Sequence, residues 1–267
     1  TDSKSDAEIS NLTLPGNKAI DLDGPSIDSN TLLTNVVRRD GLDYINPFTL
    51  GSLEFEAAKG GRTLESKQFE VTATSTLQDL VSFMEEAMGI QTQGSDTTNP
   101  VPGSKNTIPG ETGTLLPGAY IQNGRIRFVS NNGVDNALDI DLTGFRVTDS
   151  SGVVNVPNMA FGSVQDAKGQ SAVADFIAYD TLGVPIRTRI TTVLESRTDT
   201  STTYRWYADS ADNSARDGSE ISVGTGLIQF DGNGNYISAT NTTVAIDRFD
   251  LPSVSPMEFK LDFTGMS

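Results

Sequence analysis

The chain has 267 residues, 36% of them hydrophobic, a formal net charge of −16, and neither cysteine nor histidine. The acidity gives solubility and argues against partners rich in phosphate, nucleic acid and anionic membrane alike, through like-charge repulsion. The missing residue types exclude disulfides, thiolate nucleophiles, Cys- or His-based metal sites and the Ser-His-Asp arrangement, and leave carboxylate-only chemistry such as glycoside hydrolysis open.

Taken in order, residues 1–35 carry few strong signals. Thr1-Asp2-Ser3-Lys4-Ser5 has no signal-peptide character, and no apolar run anywhere is long enough to span a bilayer. Leu12, Leu14, Ile20 and Leu22 predict short extended pieces around a Pro15-Gly16 turn, and Asp21-Leu22-Asp23-Gly24 is a charged turn of little promise for a cation. Residues 27–37 read as a helical turn or a crossing linker.

Residues 45–150 read as an α+β module. Leu53, Phe55 and Ala57 alternate with Glu54 and Glu56, Lys59-Gly60-Gly61-Arg62 turns the chain, and Phe69, Val71 and Ala73 return it. A helix then spans 75–88, with Ser75 as its cap and Gln78 completing a capping box. Leu77, Leu80, Val81, Met84, Ala87 and Met88 form its apolar stripe, a face for packing on a sheet, and Gly89 ends it. Residues 91–118 are a long surface loop rich in Gly, Pro, Ser and Thr. Asn123-Gly124 between two alternating runs predicts a hairpin. A further strand sets Leu138, Ile140 and Leu142 against outward Asp139 and Asp141.

Residues 146–171 connect to a β-rich end, with Val153-Val154-Asn155-Val156 extended on the way. Val173, Asp175, Ile177 and Tyr179 alternate with Ala174, Phe176 and Ala178. The turn Asp180-Thr181-Leu182-Gly183 is closed by an Asx contact and a permissive glycine. The returning strand alternates Ile186, Thr188, Ile190, Thr192 and Leu194 with Arg187, Arg189 and Thr191. A third, at 203–208, places Tyr204 and Trp206 opposite Arg205 and Tyr207, with the single tryptophan anchoring the core. After a polar loop at 209–223 the sheet continues through 227–230, 236–237 and 244–246. Met257, Phe259, Leu261 and Phe263 alternate in a last strand. The expected fold is mainly β: a barrel or sandwich module of residues 1–44 plus 151–267, with the α+β module 45–150 inserted.

The motifs with chemical overtones reduce to structure. Asp231-Gly232-Asn233-Gly234-Asn235 starts like a calcium loop, but Tyr236 and Thr242 stand where the turn glycine and bidentate Glu belong, so it reads as a hairpin turn. Gly224-Thr225-Gly226 and Gly232-Asn233-Gly234 lack the context of a phosphate loop. Asn11 and Asn241 sit in glycosylation-type triplets that carry no weight here. The carboxylate pairs Glu85 with Glu86, and Asp139 with Asp141, read as solvated faces rather than acid–base couples. No catalytic, cofactor or metal residue is assigned, and the chain is expected not to be an enzyme.

Three stretches carry a family resemblance. They are the strand ending Tyr179-Asp180-Thr181-Leu182-Gly183 with its Thr-rich return and Tyr204-Arg205-Trp206; the run from Gly226-Leu227-Ile228 to Asp231-Gly232-Asn233-Gly234; and Leu261-Asp262-Phe263-Thr264-Gly265-Met266. In order and spacing they resemble the middle domain of the bacterial flagellar hook protein, over roughly the last third of the chain. More loosely, Thr76-Leu77-Gln78-Asp79-Leu80, Asn123-Gly124-Arg125-Ile126 and Ser130-Asn131-Asn132-Gly133 resemble a module inserted in hook and flagellin proteins. The resemblance implies a structural subunit of the hook, the universal joint between motor and filament. It implies an extracellular location reached without a cleaved signal, and partners that are other copies together with hook-associated and rod proteins. The family's terminal heptad helices are missing, so the chain is expected to be a monomeric fragment. Alternatives are an extracellular β-modular fibre or adhesin, with glycan binding shown by aromatics lining a groove, or flagellin or a distal rod protein. A carboxylate glycosidase would need two acids meeting in a cleft.

Overall fold

The computed structural model describes residues 4–16, 23–92, 115–157, 159–216 and 218–266. The expectations for Ile20, Asp21, Leu22 and most of the 91–118 loop lie outside the described residues. The chain is mainly β, with several antiparallel sheets and a single α-helix among the described residues, in a sandwich-like arrangement. In order the strands are β1 (Asp6–Ile9), β2 (Leu12–Thr13), β3 (Val37–Asp40), β4 (Asp43–Ile45), β5 (Gly51–Phe55), β6 (Ala58–Lys59), β7 (Arg62–Thr63) and β8 (Lys67–Val71). After helix α1 (Leu77–Ala87) come β9 (Gly118–Gln122), β10 (Arg125–Val129), β11 (Leu138–Asp139), β12 (Phe145–Asp149), β13 (Val154–Asn155) and β14 (Gly162–Gln165). The rest are β15 (Ser171–Tyr179), β16 (Pro185–Arg197), β17 (Ser201–Asp209), β18 (Ser222–Asp231), β19 (Tyr236–Thr240), β20 (Thr243–Ile246) and β21 (Met257–Lys260).

The helix forms where its stripe predicts, one residue later than expected at its start. Thr76, not Ser75, is the cap: its hydroxyl accepts from the Asp79 N–H while the Asp79 carboxylate accepts from the Thr76 N–H. Ser75 is instead tied into the preceding turn by the Thr72 N–H. All six stripe residues are buried, with Phe83 beside them. Together with Leu53, Phe55, Phe145, Val147, Ile126 and Phe128 they form one core.

The antiparallel register matches the expected hairpins. Gln122 faces Arg125 across Asn123 and Gly124, both at positive φ, as a two-residue turn of this hand requires. The Asp180 carboxylate accepts from the N–H groups of Leu182 and Val184, at 2.8 and 2.9 Å, closing the expected turn between β15 and β16. The strand expected through Leu142 is shorter: β11 stops at Asp139 because Asp141 turns the chain, accepting from the Thr143 N–H, and Leu142 is exposed.

Strand pairing sets β1 among strands that precede the C-terminal sheet in sequence. β1 lies between β10 and β14, with Ile9 opposite Ile126 and Ala7 opposite Phe128. Ile9, Leu12, Ile27, Leu33, Val36 and Met159 bury themselves in the helix-bearing core. No described strand before β15 pairs with the C-terminal sheet. β1 and the buried side chains Leu12, Ile27, Leu33 and Val36 therefore belong to the helix-bearing core. Alternation tells which face of a strand is apolar, but it does not say which partner covers that face.

The second core lies between the sheet β15-β16-β17-β18-β19 and the hairpin β20–β21. Trp206 is wholly buried there, its ring centroid 6.3 Å from that of Phe263. The opposite face of the same sheet is also buried at Thr191, Val193, Arg205 and Tyr207.

Candidate functional site

Sequence assigns no catalytic constellation, so the features that matter are the junction between the two cores and the surfaces left open. At the junction Lys59 Nζ lies 2.7 Å from Asp209 Oδ2 and also donates to the Gly89 carbonyl at 2.7 Å; both side chains are almost fully buried. The β6–β7 turn and the C-terminal end of the helix converge there on the end of β17. Gln91 Nε2 donates to the carbonyls of Ala208 and Gly224, and the Ser219 N–H donates to Glu86. The Tyr207 hydroxyl bonds to the Asn132 backbone, and burial pushes its pKa up. These contacts lie on the sheet face that carries Arg205 and Tyr207, opposite the Trp206 face.

Glu85 and Glu86 are correspondingly not a solvated face. Both are half-buried at the helix end; Glu85 accepts from the Ala119 N–H and Glu86 from the Ser219 N–H. Burial pushes the Glu85 carboxyl above its usual range, opposed by the Ala119 N–H and reinforced by the charges of Glu86 and Glu220. Asp139 is exposed on β11, and Asp141 is held below its ordinary value by the Thr143 backbone and hydroxyl.

A cleft of about 840 Å³ opens beside the junction, with Arg62, Asp175, Ile177, Arg187, Arg189, Asp209 and Asp212 in its walls. Glu65 also lines it, exposed to solvent, while its three aspartates are already engaged. Asp175 makes a two-pronged pair with Arg189 at 2.7 and 2.8 Å, Asp209 holds Lys59, and Asp212 accepts from the Arg187 N–H. Arg189 holds Asp175 in its ionised form, the reverse of what a general acid needs.

The turn at 231–235 holds itself. Asp231 Oδ1 accepts from the N–H groups of Asn233 and Asn235, both at 2.8 Å, and Oδ2 accepts from the Asn235 amide. No cluster of acidic residues suited to a metal ion occurs among the described residues. Asn241 uses its amide on the Thr225 carbonyl.

Two open surfaces stand out. Residues 153–156 expose Val153, Val154 and Val156 around β13, an edge strand. β15 forms one edge of the five-stranded sheet and exposes Val173, Ile177 and Tyr179. A third feature is a groove of about 480 Å³ lined by Leu194, Tyr204, Phe230 and Met266, with Thr192, Arg197, Thr202 and Asp231 as its polar members. No family model, curated protein or solved structure matches this chain.

Proposed function

We propose that the chain is the surface-exposed part of a structural subunit of the bacterial flagellar hook, working outside the cell beside other copies of itself and without catalysing a reaction. The reading begins from the resemblance of residues 172–267. The observation that supports it best is the buried junction. A buried ion pair and several part-buried side chain–backbone hydrogen bonds join two β-rich bodies into one stiff unit. A subunit that passes torque to its neighbours needs internal stiffness together with separate outer surfaces for contact.

Immunogold labelling of flagellated cells that produce the protein tests it. Gold on the short curved segment between the cell body and the filament supports the reading. Gold along the filament would make it a flagellin, and gold at the segment's base a distal rod protein.

A second reading, a β-modular fibre or adhesin that binds glycans, is favoured by the groove beside Tyr204. There a part-exposed aromatic ring lies among hydroxyl and guanidinium groups, the combination that stacks on and hydrogen-bonds a sugar ring. Gold over the general cell surface, with glycan binding lost in Tyr204→Ala, would favour it.

A further inference from the structure

We infer that the free edge of β15 receives the exposed valine segment 153–156 of a second copy, extending the five-stranded sheet by one strand. The inference deepens the structural reading above and rests on it, and it departs from the expectation that the chain is monomeric. β15 is nine residues long and is hydrogen-bonded to a described strand only on its β16 side. Residues 172–175 are exposed, so the strand is open there on both of its faces. Long edges of this kind are normally blunted by lysine, proline or a bulge. β15 has none of these; its register with β16 is unbroken, and its single charge, Asp175, is neutralised by Arg189.

The occupant is argued from charge. Two copies that each carry −16 repel, so association falls where charge is absent. Residues 153–156 are uncharged, extended and more open than almost any other apolar segment: Val153 and Val154 are 60% and 59% exposed. β13 pairs with β12 alone among the described strands, leaving its outer edge available. Val154 and Val156 share one face of that segment, as Val173 and Ile177 share one face of β15, so docking sets β-branched side chains beside each other. Backbone hydrogen bonds along the edge supply affinity. Donor segment and acceptor edge are different surfaces of one chain, so the contact is heterologous and propagates from copy to copy.

Sedimentation at increasing protein concentration tests this. Association is expected to strengthen between about 0.1 M and about 1 M salt, where screening shortens from about 10 Å to about 3 Å and removes the mutual repulsion. Val154→Asp and Ile177→Asp, both at exposed positions, should each abolish it, while Ile237→Asp on β19 should leave it intact. Because the chain has no native cysteine, mixing Val154→Cys and Ile177→Cys proteins under oxidation should yield the mixed disulfide dimer in excess over either homodimer. Absence of association, loss of it in Ile237→Asp, persistence in Val154→Asp, or no preference for the mixed dimer overturns the inference. None of these outcomes bears on where immunogold falls, so failure here is distinguishable from failure of the hook reading.

Discussion

Lys59 Nζ meets Asp209 Oδ2 at 2.7 Å across the junction of the two cores, 150 positions apart in sequence and with almost no water access to either side chain. Removing one partner strands the other charge in a dry site, at a cost of about 3–5 kcal/mol. Lys59→Met is expected to destabilise by that amount in urea unfolding at neutral pH, and Lys59→Met with Asp209→Leu to recover most of it. The molecule also supplies two local probes: Trp206 fluorescence reports the second core, and helix ellipticity the first. Their unfolding curves should coincide in the native chain and separate in Lys59→Met.

Gly89 ends the helix at φ +61°, and a Cβ built there would lie 2.8 Å from Ile221 Cγ1 and 3.0 Å from Asp209 Oδ1. Gly89→Ala meets both a left-handed backbone and an occupied space. The backbone alone costs roughly 1–2 kcal/mol, and the displaced Ile221 and Asp209 raise that figure. Thermal unfolding should show a larger loss than Gly152→Ala, also at positive φ but with nothing near its missing Cβ.

Helix capping separates two neighbouring hydroxyls. Thr76→Ala removes the group that accepts from the Asp79 N–H and should cost about 1 kcal/mol. Asp79→Asn is expected to weaken the reciprocal bond while leaving the threonine cap in place. If the two variants have equal effects in denaturant titration, the capping assignment is wrong.

Acid titration isolates Glu85. Burial raises its folded-state pKa above the unfolded value, so the folded chain binds the proton more tightly. Its stabilising contribution is full below the unfolded carboxylate value, about 4.3, and is lost as pH rises through the raised folded value. Glu85→Gln keeps an acceptor for the Ala119 N–H and never acquires the buried charge. Relative to the native chain, the variant should therefore gain stability as pH rises through that window, measured as the difference between paired urea midpoints.

Local order was readable from residues that act on their own neighbours. The Asn123-Gly124 turn, the Asp180 turn and the self-closing 231–235 turn each depend on groups within about five positions, so spacing alone specifies them. The helix stripe was readable for the same reason. Its cap was displaced by one residue because Ser75 and Thr76 are chemically alike, and only the competing bond from the Thr72 N–H distinguishes them.

The sequence by itself determined that this is a mainly β protein, where several of its turns fall, which side of α1 is apolar and that Trp206 belongs to a core. Tertiary structure alone decided that Ile9, Leu12, Leu33 and Val36 join the core of the helix, that Arg205 and Tyr207 are covered, and that Glu85 and Glu86 are drawn into a junction. The reason is physical: periodicity records which side of an element avoids water, whereas burial of its other side depends on groups brought there from more than a hundred residues away, as Asp209 is to Lys59 and Ser219 to Glu86.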